Sequence, residues 1–220
     1  MSEQLAGNIL SIYQQHADTF TRERSQSLFE KPWLDKFIAQ VGHQGRILDI
    51  GCGTGQPIAE YFIHKGFKIT GIDGAAAMIN TARNHFPNER WLEQDMRTLA
   101  LGETFDGIIA WDSFFHLTHD DQHDMFKVFD RHTHPGSALI FTSGPSHGIA
   151  TGNFAGEVLF HASLAPDAYR GLLTRTVLTS WICSWKTRTA PGIPCGLPKK
   201  PRANRSNQRG RTTGLSSKAP

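Results

Sequence analysis

ILDIGCGTGQ, residues 47–56, is the stretch that decides the fold of this 220-residue chain. It begins with an apolar run and passes into the glycine-rich loop 51–55, which a helical pattern follows. Glycine permits the positive φ angles of a sharp turn and lets a ligand approach the backbone. The N–H groups at the start of the next helix have no partner within that helix and face the same space. The stretch therefore predicts a strand, a ligand-binding loop and a helix.

The rest of the chain repeats this alternation of strand and helix. Alternation of this kind is typical of parallel strands joined by crossover helices, and uninterrupted apolar strands are covered on both faces. We therefore predict an α/β fold with a Rossmann-like, doubly wound, mostly parallel sheet that binds ligands beyond the carboxyl ends of its strands. The apolar runs of strand length are 46–50, 67–72, 91–94, 105–110 and 138–142, and the helical patterns are 56–64, 75–85 and 120–131.

Two acids and the glycine spacing indicate which ligand the loop binds. Asp73 ends the second predicted strand, about 20 residues beyond the loop, where an acid accepts hydrogen bonds from ribose hydroxyls. A dinucleotide fingerprint requires Gly-x-Gly-x-x-Gly, but Gln56 stands at the third position and Gly55 comes one residue early. Asp49, two residues before the loop, would repel a pyrophosphate and attract a cationic group. This spacing disfavours a nicotinamide dinucleotide and favours a positively charged nucleoside cofactor.

Several segments together resemble the class I S-adenosylmethionine-dependent methyltransferases. The resemblance covers roughly residues 30–175, and its motifs are specific to the superfamily but not to any substrate. It implies S-adenosyl-L-methionine as the cofactor and methyl transfer to a small-molecule acceptor. The matching segments are Asp49 to Gly55, Asp73, Gln94 to Met96, Phe105 to Asp106, and Trp111 to Leu117.

The resemblance also implies roles for individual residues. The loop glycines would line the methionine part of the cofactor, and Asp73 would hold the ribose. Asp95 would bind the adenine amino group, with Met96 against the ring, although Asp95 also fits a surface acid before a turn. The full set of cofactor residues expected is Asp49, Gly51, Cys52, Gly53, Gly55, Asp73, Gly74, Met78, Asp95, Met96 and Trp111. Met78 fits a buried helical position equally well, and Tyr13 and Arg24 are either cofactor contacts or part of a solvated helix face.

The catalytic residues remain open at this stage. Methyl transfer from a sulfonium is an in-line displacement with a good leaving group, so the protein mainly aligns donor and acceptor. A general base is required only where the acceptor must lose a proton. Asp112 and His116, after the fourth predicted strand, are the candidates for this role, and His147, His161 and Tyr169 follow further along. The chain has 11 histidines, most of which must be ordinary surface or packing residues.

Charge divides the chain into two parts. Residues 1–169 hold 12 Lys and Arg against all 20 Asp and Glu, a net charge of −8, whereas residues 170–220 hold 11 basic residues and no acid. An acidic body repels phosphates, which argues against a nucleic-acid partner unless the basic end is native. We expect no membrane span, because no apolar run reaches about 18 residues. The three cysteines lack metal-ligand spacing, so we expect no metal, no disulfide and a cytoplasmic protein.

The segment after Leu173 does not continue the pattern. We divide the chain into a helical cap at 1–45, a cofactor-binding core at 46–173 and a basic, disordered tail at 174–220. The tail lacks the two strands that complete the resembled fold. A shifted reading frame permits both strands, and the acidic residues that its codons require fall at plausible positions. We therefore hypothesise a frameshift; the competing interpretation is a native tail that binds nucleic acid electrostatically. A frameshift would leave the fifth strand as an open, aggregation-prone edge.

Two alternatives to an active methyltransferase follow from these observations. A non-catalytic or defective S-adenosylmethionine-binding protein is consistent with the incomplete sheet. An NAD(P)-dependent oxidoreductase is consistent with a glycine loop and Asp73, but the position of Gly55 disfavours it.

Overall fold

A computed structural model describes residues 2–176 and the backbone of residues 180–185. Six parallel strands form the main sheet in the order β3-β2-β1-β4-β5-β8, and β6 and β7 form a separate antiparallel hairpin. The predicted α/β class and parallel sheet are confirmed. The strands are β1 (Arg46–Ile50), β2 (Lys68–Asp73), β3 (Arg90–Glu93), β4 (Phe105–Ala110), β5 (Thr133–Ser143), β6 (Gly148–Phe154), β7 (Glu157–Ser163) and β8 (Ser180–Trp185).

Helices cover both faces of the sheet, as the uninterrupted apolar strands predicted. Leu48 and Ile50 of β1 point into a core shared with α6 and α7, whereas Ile47 points into a core shared with α3, α4 and α5. Successive side chains of a strand alternate between faces, so each strand contributes to both cores. The helices are α1 (Ser2–Gln15), α2 (Ala17–Glu23), α3 (Lys31–Val41), α4 (Ile58–His64), α5 (Ala76–His85), α6 (His119–Arg131) and α7 (Pro166–Leu173).

The β6–β7 hairpin was not predicted from the sequence. Most of β6 is exposed, and its residues do not alternate between apolar and polar, so no strand pattern marks it. In β7, Leu159, Phe160 and Ala162 are buried against Ile9 and Ile12 of α1. This contact places the hairpin and α1 side by side over one end of the sheet.

The strand β8 corrects the prediction for the end of the chain. It pairs in parallel with β5 from Ala138↔Ser180 to Ser143↔Trp185. The predictions of an open edge at β5 and of a strandless segment from residue 174 are therefore wrong at 180–185. Residues 177–179 and 186–220, with most of the predicted tail and the second missing strand, lie outside the described residues.

Candidate functional site

A cavity of about 340 Å³ lies beyond the carboxyl ends of β1 to β4, where the sheet topology predicted it. Its volume is in the range of small-molecule sites. The first two helices and the β6–β7 hairpin contribute its other walls. Of the expected cofactor residues and the two leading catalytic candidates, all but Gly55 line it: Asp49, Gly51, Cys52, Gly53, Asp73, Gly74, Met78, Asp95, Met96, Trp111, Asp112 and His116.

The glycine loop passes so close to its neighbours that Gly51 is required by space as well as by conformation. Gly51 has φ of 74°, and a Cβ added there would lie 2.3 Å from Cβ of Ser113. Ser113 is held in place because its Oγ donates a 2.7 Å hydrogen bond to the carbonyl of Ile50. Gly53, with φ of 54°, lies beneath the ring of Phe20.

Gly55 is the predicted site residue that the structure places elsewhere. It is absent from the cavity lining, and a Cβ added there would lie 3.1 Å from Trp91 and 3.2 Å from Phe86. Its φ of 80° fits the turn before α4. Gly55 therefore serves the turn and the packing of two aromatic rings, and the expectation that it lines the methionine part of a cofactor is not supported.

Two carboxylates lie at the base of the cavity, Asp49 buried and Asp73 half-buried. Asp73 accepts hydrogen bonds from the N–H groups of Gly53 at 3.0 Å and Ala75 at 2.9 Å, so it also braces the glycine loop. Burial raises the pKa of Asp73. Burial, and then repulsion from Asp73, raise the pKa of Asp49 to about 7, although Arg24 opposes the shift. A cationic ligand would relieve the cost of charging these carboxylates.

Asp95 and its neighbours form a polar wall at the end of β3. Asp95 accepts hydrogen bonds from the backbone N–H and the guanidinium of Arg97, and Arg97 also lies 3.9 Å from Asp121. Burial raises the pKa of Asp95, but the hydrogen bonds from Arg97 outweigh it, so the pKa lies below its ordinary value. Sequence reasoning missed Arg97 and Asp121, because neither belongs to a motif and only folding brings α6 to this turn.

The helix α1 covers the part of the cavity next to Gly74. A Cβ added to Gly74 would lie 2.6 Å from Leu10, and Gln14 accepts a 3.0 Å hydrogen bond from the N–H of Ala77. Met78 is 1% exposed and packs with Ala75, yet it also lines the cavity. Met78 is therefore a buried helical residue that also faces the cavity, and its contact with a cofactor stays a prediction.

The predicted contacts of the N-terminal cap also reach the cavity. Tyr13, Phe20 and Arg24 line it, so they do not belong to a solvated helix face. Arg24 approaches Oε1 of Glu30 at 3.4 Å and Oδ2 of Asp112 at 3.6 Å. Asp112 has φ of 53°, and its N–H donates a 2.7 Å hydrogen bond to Oγ1 of Thr142.

His116 lies where α1, the hairpin and the loop after β4 meet. It is buried, with Nδ1 2.8 Å from the carbonyl oxygen of Phe160 and Nε2 3.1 Å from the hydroxyl of Tyr13. The rings of Phe115 and His161 lie 4.8 and 5.0 Å from the His116 ring, centroid to centroid. Both line the cavity beside His116.

Two of the remaining catalytic candidates, Tyr169 and His147, do not lie at the cavity. The Tyr169 hydroxyl is buried and donates a 2.6 Å hydrogen bond to Oε1 of Gln122, while Ser143 and the N–H of Leu164 donate to it. His147 stacks on His119 at 4.3 Å. Neither Tyr169 nor His147 is among the lining residues.

The residues that the structure describes, 2–176 and 180–185, also bear on membrane spans and metal binding. No helix there is long and apolar enough to cross a membrane. The same residues hold no group of three or more His, Cys, Asp and Glu placed to bind a metal ion.

Comparison with known proteins identifies the glycine loop and the strands around it. Residues 47–136 match the methyltransferase domain family. A putative methyltransferase, YqeM, from Bacillus subtilis is 33% identical over 148 residues, which cover 63% of this chain and 58% of that protein. A malonyl-[acyl-carrier protein] O-methyltransferase from Paenibacillus is 32% identical over 171 residues, 71% of this chain and 59% of that protein. The chain thus spans less than two thirds of the length of these relatives.

Solved structures share the same fold. The sugar N-methyltransferase KedS8 from Streptoalloteichus superposes with a TM-score of 0.63 at 15% identity, over 83% of this chain and 92% of that one. The amino pentose methyltransferase CalS10 from Micromonospora echinaspora has a TM-score of 0.60 at 19% identity, over 83% and 93% of the two chains. Residues 47–136 thus match a methyltransferase domain, and the described residues share the fold of solved methyltransferases.

Proposed function

We propose that this chain transfers a methyl group from S-adenosylmethionine to a small-molecule acceptor. The observation that carries the proposal is the cavity beyond the glycine loop, with Asp49 and Asp73 at its base. S-Adenosylmethionine carries positive charge on its sulfonium and its ammonium. S-Adenosylmethionine would place a cation next to these carboxylates, which favours their charged form. A dinucleotide would instead place a pyrophosphate against them.

Each end of the cofactor has residues of suitable chemistry. Gly51 and Gly53 leave room for the methionine part, next to Asp49. Asp73 accepts one N–H on each carboxylate oxygen. A carboxylate has about four acceptor sites, so it retains capacity for the ribose hydroxyls. Together these residues define the cofactor end of the cavity.

The adenine would lie between α1 and the turn after β3. Met96, Met78 and Leu10 line this part of the cavity and offer apolar surface to a ring. Asp95 is the acceptor we assign to the adenine amino group, which it would share with Arg97. Gly74 provides the space beneath Leu10.

The opposite end of the cavity is the acceptor end, which we define by Tyr13, Phe115, His116 and His161. When bound, S-adenosylmethionine supplies an electrophilic methyl group, and the chain's task is to align an acceptor with it and to exclude water. Aromatic rings at this end favour an acceptor with an apolar body. The relatives and structural neighbours are named for malonyl-[acyl-carrier protein], trans-aconitate and sugars, which supports a small-molecule acceptor without selecting one.

The proposal is tested by calorimetric titration of the full chain with S-adenosylmethionine, S-adenosylhomocysteine and NAD. We expect the first two to bind and NAD to give no heat of binding. Asp73→Ala removes an acceptor and the brace of the glycine loop, so we expect at least about tenfold weaker binding, roughly 1.4 kcal/mol. Asp124→Asn is the control, because Asp124 is exposed on α6, outside the cavity, and pairs with Lys127. Binding of NAD in preference to S-adenosylmethionine would reject the assignment.

A further inference from the structure

We infer that Tyr13 and His116 form a proton-accepting dyad, so that the acceptor is a molecule whose nucleophilic atom carries a proton, a hydroxyl or an amine. This inference rests on the proposed methyl transfer and deepens it. It concerns the acceptor end of the cavity and no residue of the cofactor end.

The hydrogen bonds of His116 define which nitrogen can take up a proton. A carbonyl oxygen can only accept, so Nδ1 of His116 carries the hydrogen that it donates to Phe160 at 2.8 Å. In the neutral ring Nε2 is then the acceptor, and the hydroxyl of Tyr13 donates to it at 3.1 Å. A hydrogen bond to one ring nitrogen fixes the tautomer and the orientation of a catalytic histidine and leaves the other nitrogen to accept a proton.

Tyr13 lines the cavity beside His116, and its hydroxyl lies 3.1 Å from Nε2 of that residue. Burial, followed by the negative charges of Asp112 and Asp73, raises the pKa of Tyr13 to about 12. The hydroxyl therefore stays protonated at neutral pH and cannot act as a base alone. With Nε2 of His116 as its partner, it can pass its own proton on while it receives another.

The step balances as a relay. The proton of the acceptor moves to the Tyr13 oxygen as the Tyr13 proton moves to Nε2 of His116. The acceptor's lone pair forms the new bond to the methyl carbon, and the carbon–sulfur electron pair remains on sulfur. The chain is left with a His116 imidazolium, which returns its proton to solvent before the next turnover.

The charges around the cavity agree with an acceptor that needs a base. A carboxylate acceptor needs no proton removed and would need a cation to hold it. Among the described residues, Arg24 and Arg97 are the lysine or arginine side chains that line the cavity. Arg24 pairs with Glu30 and Asp112. Arg97 pairs with Asp95 and Asp121. This pairing disfavours a carboxylate at the acceptor end.

The first test observes the proton directly. The ¹⁵N-labelled full chain, saturated with S-adenosylhomocysteine, is titrated with 4-nitrophenol, a phenol whose anion is coloured, and with 4-nitroanisole, which has no proton to give. Before either compound is added, we expect His116 to be in its Nδ1–H tautomer. We expect the ring to become an imidazolium with 4-nitrophenol but not with 4-nitroanisole. Tyr13→Phe should keep the tautomer and lose the proton transfer. An unchanged His116 ring with 4-nitrophenol, or full transfer in Tyr13→Phe, overturns the dyad.

The second test separates hydroxyl from amine acceptors by turnover. Panels of phenols, amines and carboxylates, the last including trans-aconitate, are assayed with S-adenosylmethionine. We expect turnover in the phenol or the amine panel, with kcat at least tenfold lower in Tyr13→Phe and in His116→Gln and no further loss in the double variant. His147→Gln, outside the cavity, should retain wild-type turnover. Turnover confined to carboxylates, or an unchanged kcat in His116→Gln, overturns the inference.

The same variants distinguish this inference from the proposed function. Tyr13→Phe and His116→Gln should bind S-adenosylhomocysteine with wild-type affinity and unfold at a similar temperature. If the wild-type chain fails to bind S-adenosylhomocysteine, the proposed function is wrong. If it binds and the His116 ring does not respond, only the dyad is wrong. Groups that face the dyad and could share its titration are His161 from β7, Asp112 and Arg24 from the loops, and Asp73 from β2.

Discussion

The two ends of the cavity are built in different ways. The cofactor end consists of loops that directly follow β1, β2 and β3, so its residues occur in short motifs. The acceptor end joins α1, the loop after β4 and the β6–β7 hairpin, and its central pair, Tyr13 and His116, is separated by 103 residues. A binding site built on short strand-end loops leaves the distant elements free to vary between proteins of one fold.

The largest expected effect is at the cofactor end. Gly51→Ala adds a Cβ where Ser113 already lies and imposes positive φ on a residue with a side chain. Overpacking and the conformational cost together amount to about 3 kcal/mol, so we expect about 100-fold weaker binding of S-adenosylmethionine or a matching loss of stability. Calorimetry and thermal unfolding measure the two losses.

Gly66→Ala is the matched control for this prediction. Gly66 has φ of 84°, but an added Cβ there would meet nothing within 4 Å. It should cost only the conformational part, about 1 kcal/mol, and leave cofactor binding unchanged. Equal effects of the two substitutions would show that the contact with Ser113 is unimportant.

A smaller effect at the cofactor end depends on pH. Burial and the neighbouring Asp73 raise the pKa of Asp49 to about 7, and a bound cation should lower it. Affinity for S-adenosylmethionine should therefore rise with pH up to about 7 and fall by up to about tenfold per unit below it. Titrations between pH 5.5 and 7, in buffers of different ionisation enthalpy, should detect the released proton.

Asp49→Asn isolates the contribution of this carboxylate. The variant should bind more weakly at pH 7 and lose most of the dependence on pH. The same slope in the variant would assign the proton to another group, such as Asp73, whose pKa is also raised.

At the acceptor end, a buried network supports the hairpin from behind. The Tyr169 hydroxyl bonds Gln122, Ser143 and the N–H of Leu164, and Gln122 donates a 2.9 Å hydrogen bond to the carbonyl of Ala162 in β7. Tyr169→Phe leaves these buried groups short of a partner, so we expect a loss of about 1–3 kcal/mol in the free energy of unfolding. Urea denaturation measures it. Cofactor affinity should not change, and a parallel loss of affinity would show that the two ends are coupled.

The smallest effect is expected from removing residues 186–220. Under the frameshift hypothesis residues 186–220 do not belong to the evolved fold, so a chain ending at 185 should unfold at the same temperature and bind the cofactor equally well. A chain ending at 176 also lacks β8 and exposes the edge of β5, so it should aggregate. Light scattering and thermal unfolding compare the two. A stabilising effect of 186–220 would count against the frameshift hypothesis, which reading the coding DNA tests directly.

Much of the sheet and of the cofactor end could be predicted from the sequence. The run 46–50, its glycine loop and the acid at residue 73 carry local signals, since strand periodicity, turn conformation and residue spacing are all properties of neighbouring residues. The parallel direction of β1 to β5 follows from the alternation with helices, whereas the order β3-β2-β1-β4-β5 was not predicted. Gly55 shows the limit of this reasoning, because its conformation was predictable and its contacts with Trp91 and Phe86 were not.

Only the tertiary structure decided the acceptor end and the sixth strand. Nothing near Tyr13 in the sequence indicates His116, and β8 pairs with β5 without an apolar pattern that set it apart from the basic segment around it. Hydrogen bonds and packing between distant segments depend on where the chain has brought them. The sequence by itself therefore determined the strand, the glycine loop and the acids of the proposed cofactor end, whereas the folded chain decided which side chains form the proposed acceptor end.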